Sequence, residues 1–493
     1  MRFWHGLIPL ALTVISGEWI LVPPAHCFAQ ETLPNPAQQM DRLAERLNAL
    51  EARLVALETR LNALQAGQPI KTDTDAQPVV VEAQIEALDQ KLRILERKRE
   101  LEQEEIAEKA KTTAAAGASK DGFLLSSADK GFQLKFNGYL QADSRLFAGQ
   151  SSPIVETFQI SRARPVFQGT IYKYFDFRIM PDFGGGQSVL QDLHLGINYL
   201  NHFKFRFGKF KSPLGLEVLQ GDTDLTFVVR ALPSQLMPVR DVGAQVYGDF
   251  QGGTISYALA LLNGVQDNAS SDVDTNDGKD VVARLFAHPF KENSRGFLKE
   301  FGVGIGGSSG DQHGIPSSYK SPAQAVFFAY VPGVTSDGYR YRYSPQAYYY
   351  AGPFGIMAEY TLSSQKAHRS NSLARIQNHA WQAAASYALG GKPSYRAVSP
   401  MKAFNPKASG WGALEFAARY HRLKVDEEAF SGGFADITKS AKEAQAFALG
   451  MNWYMAKMVK FVFNYEQTSF EGGSTEGDRP TEHVILSRFQ IGF

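Results

Sequence analysis

From Phe203 to Lys211 the chain reads Phe-Lys-Phe-Arg-Phe-Gly-Lys-Phe-Lys. Successive side chains of an extended strand point to opposite faces. Phe203, Phe205 and Phe207 therefore share one face, and Lys204 and Arg206 share the other. A water-soluble sandwich can bury an aromatic face but rarely needs so regular a cationic one. A membrane β-barrel needs both, an apolar face for lipid and a polar face for a water-filled lumen. The stretch is read as a barrel strand that lines a pore with positive charge.

The same period of two recurs from about Gly131 to the end. Phe132, Leu134 and Phe136 alternate with polar residues; Phe175, Phe177 and Ile179 alternate with Asp176, Arg178 and Met180; Val459, Phe461, Phe463 and Tyr465 alternate with Lys460, Val462, Asn464 and Glu466. The last strand places Ile485, Ser487, Phe489, Ile491 and the terminal Phe493 on one face. Between such runs lie Gly-, Asn-, Asp- and Ser-rich breaks such as Asn268 to Lys279 and Glu471 to Asp478. The long breaks suit extracellular loops and the tight ones periplasmic turns. Thirty-four Phe, 20 Tyr and 44 Gly supply the girdles and turns of such a fold. At roughly 20–25 residues per strand and connector, the region allows about 14–18 strands. Past the N-terminus no apolar run reaches the roughly 18 residues that a spanning helix requires.

The beginning of the chain reads differently. Residues 1–29 have the form of a secretory signal, with Arg2, an apolar stretch from Leu7 to Val22 interrupted only by Glu18, and cleavage after Ala29. Cleavage there removes Cys27, the single cysteine, and leaves no thiol or disulfide chemistry. Within residues 30–66, Met40, Leu43, Leu47, Leu50, Leu54, Leu57, Leu61 and Leu64 alternate spacings of three and four. That is the a/d seam of a coiled coil. A single amphipathic helix lying on its own barrel is the alternative, but so narrow a seam fits a multi-chain coiled coil better. Residues 67–78 form a linker. A second helical segment at 79–110 repeats the seam with Val81, Ile85, Leu88, Leu92 and Leu95 before Arg99 and Glu102 interrupt it. Residues 111–130 read as a further linker and 131–493 as the barrel.

The net charge of +1 implies no nucleic acid, but its distribution is uneven. The first 130 residues hold 15 Lys and Arg against 19 Asp and Glu, and the rest of the chain 36 against 31. Fixed cations facing water between low-dielectric walls concentrate anions. Lys135, Arg162, Arg178, Lys204, Arg206, Lys209, Lys211, Arg230 and Arg240 are the candidate anion-binding, pore-lining residues. Arg230 and Arg240 fall in a connection expected to fold inward, and Arg240 is expected chiefly to anchor it to a wall carboxylate. No catalytic, metal or cofactor site is expected. His288, His313, His368, His379 and His421 lack ligand spacing, and Asn276-Asp277-Gly278 is only a fragment of a calcium loop.

Several stretches resemble the phosphate-selective porin O/P family. They include Phe175-Asp176-Phe177-Arg178-Ile179-Met180-Pro181-Asp182-Phe183-Gly184, Gly208-Lys209-Phe210-Lys211-Ser212-Pro213-Leu214-Gly215-Leu216-Glu217, Pro238-Val239-Arg240-Asp241-Val242-Gly243 and Trp411-Gly412-Ala413-Leu414-Glu415. The resemblance implies a 16-stranded, trimeric outer-membrane porin with a loop folded into each lumen and passive uptake of anions, typically phosphate or polyphosphate. It also implies departures. Val218 stands where the specific phosphate channels of the family place a basic residue, and Asp176 where they place a constriction lysine. Gly307 to Val331 carries only Lys320 where an arginine ladder would run, and Ser161-Arg162-Ala163-Arg164 replaces a twin arginine.

The fold expected is an all-β transmembrane barrel of about 16 antiparallel strands with an N-terminal coiled-coil extension. The function expected is passive diffusion of small anions, phosphate-like, through a homotrimer in outer-membrane lipid with its N-terminal segment in the periplasm. The alternatives are a general low-selectivity porin and an envelope tether whose coiled coil contacts peptidoglycan or another periplasmic partner.

Overall fold

The structure, a computed structural model, describes residues 36–66, 78–112, 114–119, 122–149, 153–274, 276–292 and 296–493. The expected signal segment, 1–29, lies outside these residues. The chain divides into two units, Met1–Lys111 and Thr112–Phe493.

The first unit holds two helices, α1 (Pro36–Gln65) and α2 (Pro78–Thr112). Each opens on a proline, whose fixed φ and missing N–H suit the first helical position. In α1, Leu47 is buried and Leu50, Leu54, Leu57 and Leu61 are half-buried, while Glu45, Arg46, Glu51 and Arg53 are exposed. In α2, Ile85, Leu88, Leu92 and Leu95 form the corresponding half-buried row, and Arg93 pairs with Asp89 at 2.9 Å one turn away. Among the described residues no helix is long and apolar enough to cross a membrane.

The second unit is a closed antiparallel barrel of sixteen strands. They are β1 (Gln133–Phe147), β2 (Thr157–Ile171), β3 (Phe175–Asp182), β4 (Val189–Leu200), β5 (Phe203–Lys211), β6 (Arg240–Phe250), β7 (Ile255–Leu262) and β8 (Asp280–Ala287). Then follow β9 (Glu300–Gly314), β10 (Thr335–Ala351), β11 (Phe354–Arg369), β12 (Ser372–Leu389), β13 (Ala413–Lys424), β14 (Ala441–Ala456), β15 (Val459–Ser474) and β16 (Glu482–Gly492). Each strand pairs with the next, and β16 closes on β1 from Val484↔Phe147 to Gly492↔Tyr139. Phe493 completes the seam by exchanging both backbone hydrogen bonds with Gly138, at 3.0 and 3.1 Å. Closure removes the free sheet edges that lipid cannot satisfy.

The alternation read from the sequence sets the two faces. Leu195, Phe207, Leu259, Leu285, Phe447 and Phe489 are exposed on the outer surface, whereas Gln141, Glu359, Arg419, Asn464 and Glu466 are buried on the inner one. At the end where the chain enters β1, Phe493 packs edge-on to Phe123 and tilted against Phe136, with centroids 6.2 and 5.5 Å away. Part of the expected 111–130 linker forms a hairpin instead, Ala115–Ser119 with Gly122–Ser126, whose second arm pairs with β1 at Phe123↔Phe136. β16 pairs no further along β1 than Tyr139, so the first residues of β1 need another partner for their backbone groups, and the hairpin supplies it.

Connections at the near end, where the chain enters, are short except for 288–299 and 390–412. Long connections lie at the far end, and three of them fold inward. Leu232 and Leu236 from 212–239, Tyr319, Phe327 and Phe328 from 315–334, and Phe434 from 425–440 share one buried cluster with Ile376, Ala380 and Leu423 of the wall. This apolar cluster packs inside the barrel against β11–β14, and polar cavities lie mainly against β1–β6.

Candidate functional site: a cationic constriction in the lumen

The constriction is built by connection 212–239, which runs from the end of β5 to the start of β6. A backbone inside a lumen must find hydrogen-bond partners, and the inner wall provides them. Glu359 accepts from the amides of Leu216 and Glu217, Asn464 Oδ1 from Val228 at 2.7 Å, and His421 Nδ1 from Leu232 at 3.1 Å. Lys460 donates to the Leu225 carbonyl at 2.7 Å. Arg419 donates to the Val229 carbonyl at 3.1 Å and pairs with Glu217 and Glu466, each at 3.2 Å. Gly215 makes the turn these contacts require, at a φ of 85°.

Held in this way, the connection carries Asp222 into a group of cations. Arg230 Nη2 donates to Asp222 Oδ1 at 2.6 Å. Arg164 donates to Oδ2, and Tyr139 Oη also reaches Oδ2 at 3.2 Å. Arg162 and Arg240 stand 3.9 and 4.0 Å from the carboxylate. Lys211 donates to the Val218 and Gln220 carbonyls of the same connection, at 2.8 and 2.5 Å. A second row continues along the wall. Asp192 joins Arg240 at 2.8 Å to Arg178 at 3.0 Å, and Asp182 holds Arg164 at 2.6 Å. Arg206 donates to Gln245 at 2.7 Å and lies over the Phe210 ring at 4.2 Å. Six arginines and a lysine thus face three aspartates, and the group as a whole is positive. Burial alone would raise the pKa of Asp222, but the Arg230, Arg162, Lys211 and Arg164 charges outweigh it and hold the carboxyl well below its ordinary range.

The cluster separates two cavities. The far cavity, about 350 Å³, is lined by Arg162, Arg230, Arg488, Lys320, Gln324 and Asp143, among others. The near cavity, about 640 Å³, is lined by Arg178, Arg206, Lys211, Arg240, Asp192 and Asp222, among others. Arg162 and Arg230 of the far cavity and Lys211, Asp222 and Arg240 of the near one meet at this cluster. The arrangement can do electrostatic work on an anion, and Arg forks match the geometry of an oxyanion. Among the described residues no group of His, Cys, Asp and Glu is arranged to hold a metal ion.

Of the residues singled out in the sequence, Arg162, Arg178, Arg206, Lys211, Arg230 and Arg240 come together here. Arg240 does meet a wall carboxylate, Asp192, but as the first residue of β6 rather than inside the connection. Lys135 and Lys204 face inward, since Lys135 pairs with Gln168 and Lys204 with Tyr247, whose side chains contact Arg178 and Arg206. They line neither cavity. Lys209 departs from the expected lumen position. It pairs with outward-facing Leu193, and its ammonium goes to the Leu190 carbonyl and to Asp272 at 2.5 Å. The alternation explains it, because Phe207 points outward and Lys209 follows in step. That same rule makes Arg164 a partner of Arg162. Arg488 follows the same rule, facing inward between Ser487 and Phe489, and lines the far cavity. Asp222 lies in a connection and belongs to no such pattern.

The departures from the family pattern acquire a physical account. Val218 is buried in an apolar cluster with Phe210, Leu214, Met237 and Leu262. Its side chain anchors the connection while its carbonyl receives Lys211. Asp176 is half-buried on β3 in the same cross-strand row as Gly196 and Arg206. Lys320 and Gln324 reach the far cavity from connection 315–334.

Comparison with known proteins agrees with this architecture. The family model described as "Phosphate-selective porin O and P" matches residues 132–310 and 329–493, leaving out most of the 315–334 connection. Porin O of Pseudomonas aeruginosa is 23% identical over 395 residues, which cover 73% of this chain and 89% of that protein. Among solved structures, the outer membrane channel DcaP of Acinetobacter baumannii aligns with a TM-score of 0.50 at 11% identity, over 77% of this chain and 100% of that one. OmpT of Vibrio cholerae aligns with a TM-score of 0.47 at 12% identity, over 74% and 98%. The chain belongs to the phosphate-selective porin O and P family and is an outer-membrane β-barrel porin.

Proposed function

We propose that the barrel conducts small anions by passive diffusion and that phosphate-like oxyanions are its preferred permeants. The observation that carries this reading is the excess of guanidinium groups around Asp222 at the junction of the two cavities. In a narrow, low-dielectric lumen such a field raises the local anion concentration and repels cations. Asp222 already occupies part of the anion's seat. It therefore keeps binding weak enough for release, while connection 212–239 limits solute size. The protein works as a homotrimer, with the near end facing the periplasm and the α1 and α2 seams joined between copies as a coiled coil. The exposed Val55, Ile94 and Leu101 on those helices support a further partner for them.

A low-selectivity porin is the second reading. It is favoured by Val218, whose apolar side chain takes the place of a constriction cation. Single-channel recording separates the two. Phosphate preference requires an anion-selective reversal potential and block of chloride current by phosphate at concentrations below those at which chloride itself saturates. A cation-selective reversal potential, or no effect of phosphate on chloride current, defeats it.

A further inference from the structure

A third cavity, about 420 Å³, lies at the near end between the inner wall at β7–β10 and connection 390–412. It is built from aromatic rings and unpaired cations. Tyr348 stacks on Phe286 at 5.3 Å and on Tyr395 at 4.9 Å, the latter nearly parallel at 12°. The Arg284 guanidinium lies over Phe286 at 4.6 Å and donates to Gln346 at 3.0 and 3.1 Å. Arg396 lines this cavity and the near cavity of the passage as well. Among the described residues neither Arg284 nor Arg396 makes an ion pair with a carboxylate. Glu300 is the one carboxylate in the lining, and it leaves a net positive charge of one. The wall is fixed in place, because His288 Nε2 lies 2.7 Å from Tyr348 Oη and Tyr395 Oη donates to the Leu216 carbonyl at 2.6 Å.

We propose that this side cavity is a binding subsite for small aromatic monoanions, of which an arenecarboxylate is the simplest. Planar rings offer stacking and edge contacts to a planar ligand. A guanidinium with free N–H groups offers a fork to its carboxylate. An aliphatic anion of equal charge gains only the second. The subsite goes beyond the anion preference of the constriction and does not rest on phosphate being the permeant. Phosphate competition reads the constriction, whereas comparison of two carboxylates of equal charge reads this cavity.

The test uses the full-length protein in planar bilayers carrying chloride current, with benzoate or cyclohexanecarboxylate added to either chamber. Benzoate is expected to reduce the current at about one tenth of the concentration needed for cyclohexanecarboxylate, the size of effect that ring stacking and cation–π contacts provide. Tyr395→Leu is expected to bring that ratio toward one, whereas Arg396→Gln is expected to raise the concentrations needed of both acids. Arg396 is exposed, so its variant tests the idea even if Tyr395→Leu fails to fold. Equal potency of the two acids on the unaltered channel, or unchanged potency of benzoate in conducting Arg396→Gln channels, overturns the proposal.

Discussion

Arg230 Nη2 lies 2.6 Å from Asp222 Oδ1, and both residues belong to connection 212–239, which folds into the barrel. The constriction thus brings its own counter-ion. The wall arginines Arg164 and Arg240 are held by the wall carboxylates Asp182 and Asp192, and together with Arg162 they also approach the carboxylate that the loop carries. Loop and wall together set the field that a permeant meets.

Removing that counter-ion should strengthen anion binding. Asp222→Asn keeps the shape but leaves the arginines facing the passage uncompensated. Phosphate is expected to block chloride current at about tenfold lower concentration, equivalent to about 1.4 kcal/mol. The release of phosphate should slow in proportion. Weaker block in the variant would mean that Asp222 organises the arginines rather than competing with the ion.

Acidification should act through a different residue. Asp222 has a depressed pKa, so its contribution to stability is present above the unfolded value of about 3.9 and is lost only as pH falls through the lower folded value. It keeps its charge through mildly acid conditions. Asp224, which lines the near cavity, has its pKa raised by burial and is the first of the two to be neutralised as pH falls. The chloride-to-potassium permeability ratio is therefore expected to rise on acidification, starting above the pH at which an ordinary aspartate is protonated. Asp224→Asn should start at the higher ratio and change less, as reversal potentials across a salt gradient will show.

Arg419 anchors the connection from the opposite wall. It is fully buried between Glu217 and Glu466. Arg419→Gln leaves two buried carboxylates short of a partner, a loss of about 3–5 kcal/mol. Barrel unfolding should shift to lower temperature, and channels that do form should flicker, since the Val229 carbonyl also loses its donor. A variant with unchanged thermal unfolding and quiet open channels would contradict this role.

The backbone of β5 leaves no room at Gly208. Its φ is 128°, and an added Cβ would lie 2.2 Å from the Leu193 carbonyl oxygen of the neighbouring strand. Gly208→Ala should sharply lower the yield of folded barrel. Gly185→Ala is the control. Gly185 also has a positive φ, of 67°, but its Cβ would meet nothing within 4 Å, and its cost should stay near about 1 kcal/mol.

The barrel was legible because a strand writes its two faces into its own sequence. Lys204 and Arg206 face inward and Phe207 outward as the alternation requires, and the same rule carried to Lys209 gives its true, outward position. Sixteen strands followed from the family likeness more narrowly than from strand spacing. The constriction was less legible for a physical reason. Asp222 meets Arg164 from 58 residues away, and Asp143 meets Arg488 from 345 away. No local period records such pairings. The linker before β1 was also misread in part, because the need for a partner strand arises only when β16 stops short on β1.

The most direct test of the central claim is anion competition in single channels of the full-length protein. Reversal potentials are measured in a salt gradient, and chloride conductance is then titrated with phosphate on the same channel. The account predicts anion selectivity and saturable block by phosphate that weakens when Arg230→Gln removes the loop's own guanidinium. Cation selectivity, or chloride current indifferent to phosphate, would contradict it.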